Sequence, residues 1–373
     1  MKKNLVNLPN IYASKHYYLL GIIPVVLVLI ALLFVPSIPK GIDLKGGTLI
    51  TVQSATPINS TLLSTELSNY SSSVSVNQIS SPAGFGVEIQ LENLNNFDEA
   101  ENLLTTLSGL DSQLSTLQES GSSSPSIVSQ ENTYSSQILS DSAQVLTLVG
   151  SNKKVGSDPH NAVTLAQNEY SLANQNYLDS LRKVILSIAP NSDVSVQQVG
   201  STLSKQFLSQ AQQIVFYAFI FSAIAVFIVF RSLGPSFAVI FGAIADITIT
   251  AGVMGILQIP LTLPSIATLL MLIGFSLDTD VMLTIRVMQR KEGTAASRAA
   301  NALVTGGMMN LTTIGAFGVL YVIGTVLSIP TYQQIGAVAV IGGFADFIAT
   351  WCFNASLVLY FAQKIESAKK VIS

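Results

Sequence analysis

Gly274-Phe275-Ser276-Leu277-Asp278-Thr279-Asp280-Val281-Met282-Leu283-Thr284-Ile285-Arg286 closes a long apolar run that begins near Pro264. The run reads as membrane, yet it holds two carboxylates, Asp278 and Asp280. A charge at the centre of a spanning helix costs about 2.5–3.5 kcal/mol on insertion scales. So costly a pair points to a use. Positions two apart differ by about 200° around a helix, so the two acids cannot share a face. One is expected toward the fifth apolar run, the other toward the third or toward water. Arg286, eight residues past Asp278, lies about 12 Å further along the axis and can snorkel to the interface.

Working outward, the same character recurs. Tyr17–Val35, Ile214–Phe230, Phe237–Leu257, Ile266–Ile285, Ala302–Val326 and Ile335–Phe361 are apolar runs, each near the ~20 residues that cross a bilayer. The last five, in succession, argue against one buried soluble core. Tyr17–Val35 resembles a signal peptide, but it is long and no A-x-A follows, so it reads as a retained anchor. The chain is 49% hydrophobic and 10% charged, against about 25% charged in soluble domains. Its net charge of −3 offers nothing to nucleic acid. One cysteine, Cys352, excludes a disulfide framework and a cysteine metal site. His16 and His160 lie far apart. We expect no metal, no cofactor and no enzymatic activity.

Basic residues mark alternate ends of the spans: Lys2, Lys3 and Lys15; Arg231; Arg286, Arg290, Lys291 and Arg298; Lys364, Lys369 and Lys370. The opposite loops, Gln258–Leu263 and Gly324–Thr331, carry no charge. The positive-inside rule then places both termini in the cytoplasm. The expected division is a cytoplasmic N-terminus (1–16), a first transmembrane helix (17–35), an extracytoplasmic domain (36–205), transmembrane helices two to six (206–363) and a cytoplasmic tail (364–373). Between residues 36 and 210 there are 15 acidic and 7 basic residues.

The 36–205 segment is rich in Ser, Asn, Gln and Thr, with a low-complexity break at Gly121–Ser124 and Pro125. Thr48–Gln53, Val74–Ile79, Phe85–Leu91 and Asp193–Val199 read as strands. Asn59–Tyr70 reads as a short helix. Phe97 to about Leu117 reads as a helix capped by Asn96, with Asp98, Glu99 and Glu101 in its first turn. His160–Ile188 is a second long helix. Without about 110–190, the order is strand–helix–strand–strand–helix–strand, a ferredoxin-like α+β arrangement. The middle then reads as an inserted helical hairpin. Asn59-Ser60-Thr61 and Asn69-Tyr70-Ser71 are glycosylation sequons.

Asp246 and Asp346 lie near the middle of the third and sixth spans, with no lysine, arginine or histidine at their depth. A carboxyl group sheltered from water favours its neutral form. Asp278, Asp280, Asp246 and Asp346 are therefore candidates for a proton relay. Asp246 and Asp346 also read as hydrogen-bonded packing groups. Asn310, Thr312 and Thr313 of the fifth span read either as polar partners of the acids or as small residues that pack helices. Arg286 and Arg290 also read as plain interfacial anchors. Gly306-Gly307 and Gly342-Gly343 allow close helix approach. Gly46-Gly47 lacks the following lysine and helix of a phosphate loop.

Several motifs carry a resemblance. Gly41-Ile42-Asp43-Leu44-Lys45-Gly46-Gly47-Thr48 resembles the G-[IL]-D-[FL]-x-G-G motif of the SecD and SecF protein-export membrane proteins, with Thr48 leaning toward SecF. Val199-Gly200-Ser201-Thr202-Leu203 is similar to the V-G-x-x-L stretch by which that family re-enters the membrane. Gly274-Phe275-Ser276 with Asp278, Asp280 and Arg286 resembles its fourth-span motif, and Asn310-Leu311-Thr312-Thr313 its fifth-span Thr-Thr stretch. Asp43, Gly46, Gly47, Thr48 and Gly200 thereby become family-motif positions at the two domain junctions. Bacterial members carry an arginine near the Thr-Thr stretch, where Gly306-Gly307-Met308-Met309 stand here; the pattern is closer to the archaeal branch.

The resemblance implies a six-span subunit in the cell membrane, similar in plan to half of a resistance–nodulation–division transporter. It would pair with a SecD-type subunit beside the Sec channel and use the proton gradient to help translocate or release a secreted polypeptide. Two other readings stand beside it. One is a subunit of a small-molecule efflux transporter of the resistance–nodulation–division type, which would want a duplicated body. The other is a non-transporting membrane scaffold or sterol-sensing-like receptor, in which the acids only pack.

Overall fold

The computed structural model describes residues 10–14, 16–71, 73–81, 84–119, 124–290, 292–327 and 329–372. Lys2, Lys3, Lys15, Lys291 and Gly121–Ser123 lie outside the described residues, as do the side chains of Lys369 and Lys370. In chain order the elements begin α1 (Ile22–Phe34), α2 (Ile42–Lys45), β1 (Gly47–Ser54), α3 (Ser60–Leu67), β2 (Val74–Ser81) and β3 (Gly84–Leu91). Then come α4 (Asn95–Glu119), α5 (Pro125–Leu148), α6 (Pro159–Ile188), β4 (Asp193–Val199), α7 (Ser201–Phe230) and α8 (Leu233–Ile256). The last are α9 (Leu263–Gln289), α10 (Ala295–Val326), α11 (Pro330–Ile348) and α12 (Ala355–Ile372). The chain divides into two compact units, Met1–Lys40 with Gln210–Ser373, and Gly41–Ser209.

The first unit is helical. Among the described residues, six helical stretches are long and apolar enough to cross a membrane: Tyr17–Ser37, Ser201–Phe230, Leu233–Ile256, Leu263–Gln289, Ala295–Val326 and Pro330–Ser367. Their ends run past the apolar windows, because a helix stops at its caps and not at its first polar residue. Thr262 and Ser265 start α9 with a reciprocal capping box, and Pro264 fits its first turn. The second helix starts at Ser201, thirteen residues ahead of the expected Ile214. Small residues bring backbones together: a Cβ on Gly252 would collide with Ala31, and one on Gly342 with Leu272. Phe221 and Ile228 of α7, and Leu311 and Val319 of α10, are exposed apolar side chains suited to lipid. Between α11 and α12 the helix widens into a π-turn, Ala349–Asn354.

The second unit holds a four-stranded sheet in the order β2-β3-β1-β4. Every neighbouring pair is antiparallel, with Ile50 opposite Ile89 on one side and Val196 on the other. Ile50, Val52, Val87, Ile89 and Leu91 make its buried face, covered by Leu63 and Leu67 of α3 and by Leu181 and Ile185 of α6.

A separate core joins α4, α5 and α6. Ala100, Leu107 and Leu114 fall on a seven-residue repeat and meet Ile138 and Val145 of α5 and Ala162, Val163 and Ala166 of α6. His160 Nδ1 lies 2.5 Å from Asp111 Oδ1 and fastens the start of α6 to α4. We predict that Leu107→Ala, at a fully buried site, lowers the stability of this unit by about 2–5 kcal/mol, read as a drop in its thermal midpoint.

Two expectations shift here. Phe97–Leu117 was the expected sheet-packing helix, with an insertion at about 110–190. Instead the C-terminal half of α6 packs on the sheet, and α4 belongs to the three-helix core. A 30-residue helix can serve two cores at its two ends, which periodicity does not separate. Asn96 is not the cap of α4: the helix begins at Asn95, Leu94 O accepts from Phe97 N and Asp98 N, and the Asn96 side chain donates to Leu148 O.

Candidate functional site

The interior of the first unit holds a polar cluster drawn from four helices. Asp246 on α8, Asp280 on α9 and Asp346 on α11 are all buried, as are Asn310 on α10 and Thr350 and Asn354 in the π-turn. Thr350 Oγ1 is 2.7 Å from Asp280 Oδ1 and 3.1 Å from Asp346 Oδ1. Asn310 Nδ2 donates to Asp346 Oδ2 at 2.8 Å. Thr279 Oγ1 reaches Asn310 Oδ1 at 3.4 Å. Neither carboxyl oxygen of Asp246, nor Asp280 Oδ2, has a hydrogen-bond partner among the described residues. Asn354 faces the Asp280 carboxyl and Ser276 that of Asp346, but neither closes a hydrogen bond of normal geometry.

Local structure explains why these side chains meet. Gly242 leaves the room that Asp280 fills, since a Cβ there would sit 2.6 Å from Asp280 Oδ2. The π-turn carries Thr350 and Asn354 to the acids; such turns occur mostly as single widened turns and often at functional sites. Tyr12, buried near the N-terminus, donates its hydroxyl to Trp351 O in that turn at 2.7 Å. The glycine pairs allow close approach: Gly306 lies against Trp351 and Gly343 against Ile314.

Asp278 and Asp280 part as their spacing requires. Asp280 is fully buried, while Asp278 is exposed on the other side of α9. Asp278 lines a crevice of about 60 Å³ with Asn310 and Thr313 of the fifth span and with Asp346. Of the fifth-span trio, Asn310 joins the acids. Thr312 and Thr313 instead donate to Met308 O and Met309 O of their own helix, and Thr312 is exposed. Among the described residues, no group of three or more His, Cys, Asp or Glu is arranged to hold a metal ion.

Arg286 donates to Thr305 Oγ1 at 2.7 Å and so links α9 to α10. Arg298 looked from the sequence like one more loop cation, but it is buried. Its guanidinium donates to Val287 O (3.0 Å), Gly293 O (2.9 Å) and Glu366 Oε1 (2.7 Å), tying the α9–α10 turn to α12. Arg298→Ala is expected to cost about 1–3 kcal/mol of stability by leaving the buried Val287 carbonyl unmatched, measured as a lower thermal midpoint in detergent.

In the second unit, Gly46 and Gly47 turn the chain from α2 into β1. Their φ values are +83° and +145°, and a Cβ on Gly47 would lie 2.5 Å from Leu91 O. Asp43 sits in the first turn of α2, and Thr48 is buried in β1. Gly200 packs against the Glu101 carboxylate, which accepts from Ser201 N at 3.0 Å at the start of α7. Burial raises the Glu101 carboxyl above the usual range, and the Ser201 N–H draws it part of the way back. Asn59 and Asn69 are exposed; Asn59 Oδ1 caps α3 by accepting from Leu62 N.

The family described as "Protein export membrane protein SecD/SecF, C-terminal" matches residues 182–364, which hold all four aspartates and Asn310. The protein-export membrane protein SecF of Haloferax volcanii is 31% identical over 231 residues, covering 55% of this chain and 79% of the relative. That of Methanolacinia petrolearia is 38% identical over 192 residues, covering 51% and 68%. The chain belongs to the SecF family. The SecF of Methanothermobacter thermautotrophicus is 41% identical over 172 residues, 45% of this chain and 60% of the relative. The chain thus matches under two thirds of that SecF's length. A crystal structure of SecDF, a translocon-associated membrane protein from Thermus thermophilus, superposes with a TM-score of 0.54 at 16% identity, covering 94% of this chain and 59% of that one. The SecF-type chain shares that fold and is a multi-pass membrane protein.

Proposed function

We propose that this protein is an accessory subunit of the Sec protein-export machinery. It works with a SecD-type subunit beside the Sec channel and promotes translocation or release of secreted polypeptides, driven by the proton gradient. The SecF-family match over the segment that bears the buried acids carries the reading. Three carboxyl groups are buried together in the helical body with no basic side chain bonded to them among the described residues, which supports Asp280, Asp346 and Asp246 as the relay. Asp278, in its crevice, gives the relay access from outside the helical body and faces the SecD-type partner. Thr313 lines the same access, and Arg286 fixes the ends of α9 and α10.

The remaining assignments follow from the loops and the sheet. Alternating basic loops support cytoplasmic termini, with residues 36–205 outside the cell membrane. The strand order supports a ferredoxin-like domain for the second unit, with Asp43, Gly46, Gly47, Thr48 and Gly200 shaping its two junctions with the membrane segments. On the outer face Asn59 and Asn69 would be open to glycosylation. Affinity purification of the tagged full chain from its native membrane tests the function directly. Recovery of a SecD-type subunit and Sec channel components is expected; self-association alone, with altered drug sensitivity, would favour an efflux transporter instead.

A further inference from the structure

We infer that the Thr350 hydroxyl is a two-way proton link between Asp280 and Asp346, so that one proton serves both carboxyls. This deepens the relay reading above and rests on it. A hydroxyl has a single hydrogen, yet Thr350 Oγ1 is within hydrogen-bond distance of both Asp280 Oδ1 (2.7 Å) and Asp346 Oδ1 (3.1 Å). It can donate to one of them. A single hydrogen split between two acceptors makes a weaker three-centre contact, so the second contact is strongest when that carboxyl carries a proton and donates to Oγ1. Asn310 Nδ2 already donates to Asp346 Oδ2, which leaves Oδ1 as the oxygen facing the link.

The hydroxyl is free for this task in a way its neighbours are not. Thr268, Thr279, Thr312 and Thr313 each donate to the carbonyl four residues back in their own helix. Thr350 sits in the π-turn and directs its hydroxyl to the acids instead.

The transfer balances. In one state Asp346 Oδ1–H donates to Oγ1 and the threonine hydrogen points to the Asp280 carboxylate. The Asp346 O–H bond breaks as a new Oγ1–H bond forms, and the old Oγ1–H bond breaks as Asp280 Oδ1–H forms. Threonine is unchanged, and one negative charge has moved from Asp280 to Asp346. The groups facing the pair are Asp246 from α8, Ser276 and Thr279 from α9, Asn310 from α10 and Asn354 from the π-turn, with Asp278 across the crevice. Asp246 and Asp278 are the titratable ones. The crevice, at about 60 Å³, is large enough for water, whose share of the liquid is roughly 30 Å³, and it reaches Asp346.

The test is infrared titration of the protonated-carboxyl stretch in the full chain in lipid nanodiscs, with gradient-driven export measured in parallel membranes. Relative to the native protein, the stretch must shift in both Asp280→Asn and Asp346→Asn, since one proton serves both; a change in only one of them overturns the link. Thr350→Val should narrow the gap between the pair's two proton-release steps by about one pH unit and cut export about tenfold, while Thr350→Ser keeps both. A Thr350→Val protein indistinguishable from native, with Asp280→Asn and Asp346→Asn inactive, would discard the hydroxyl link and leave the relay standing. Native behaviour in all these variants would discard the relay itself.

Discussion

Exchanging Asp280 for Asn is expected to cut gradient-driven export by about a hundredfold, the usual scale for losing a proton-transfer group. The variant should still insert and accumulate. Asparagine matches a protonated aspartate in shape and needs no proton to stay neutral in the interior. Its side chain can still accept from Thr350, whose oxygen lies 2.7 Å from Asp280 Oδ1. What it cannot do is release and rebind a proton. Export assays in membranes containing the variant and its partners, with a pH gradient imposed, check this. Asp278→Asn in the same assay should lose less, about tenfold, because water in the crevice still reaches Asp346.

Gly242→Ala should also impair export, although it alters no titratable group. The new methyl would sit 2.6 Å from Asp280 Oδ2, and α8 is packed too closely to yield. Overpacking of this kind costs typically about 1–3 kcal/mol. The cheapest relief is to rotate the Asp280 carboxyl away from Thr350. Export should then fall about tenfold or more, since 1.4 kcal/mol of lost positioning is a factor of ten. Gly252→Ala makes a useful contrast. It also collides, but against Ala31 and away from the acids, so it should lower stability with a smaller loss of export per surviving molecule.

Much of this was legible in the chain. The four strands fell where alternation put them, because one face of the sheet is buried and the other is wet. The opposed settings of Asp278 and Asp280 followed from two residues of helical rotation. The roles of Thr350 and Asn354 were hidden. A π-turn leaves no mark in an apolar run such as 349–354, and the pairing of Thr350 with Asp280 joins positions 70 apart. Gly242 reads as any small residue until its neighbour is known. Arg298 shows the same limit from the other side: its charge predicted a loop anchor, and only packing reveals a buried side chain with three bonds. The division of α6 between two cores was likewise closed to periodicity, since both of its ends are amphipathic helix.

The most direct check on the central claim is a hydrogen–deuterium infrared difference spectrum of the purified chain across a pH step. The comparison is with a chain in which Asp246, Asp280 and Asp346 are all asparagine. Exchangeable protons held among the three buried acids predict a carboxyl band that responds to pH and deuterium in the native protein and vanishes in the triple variant. An identical band in both proteins, or no band in either, would contradict the account.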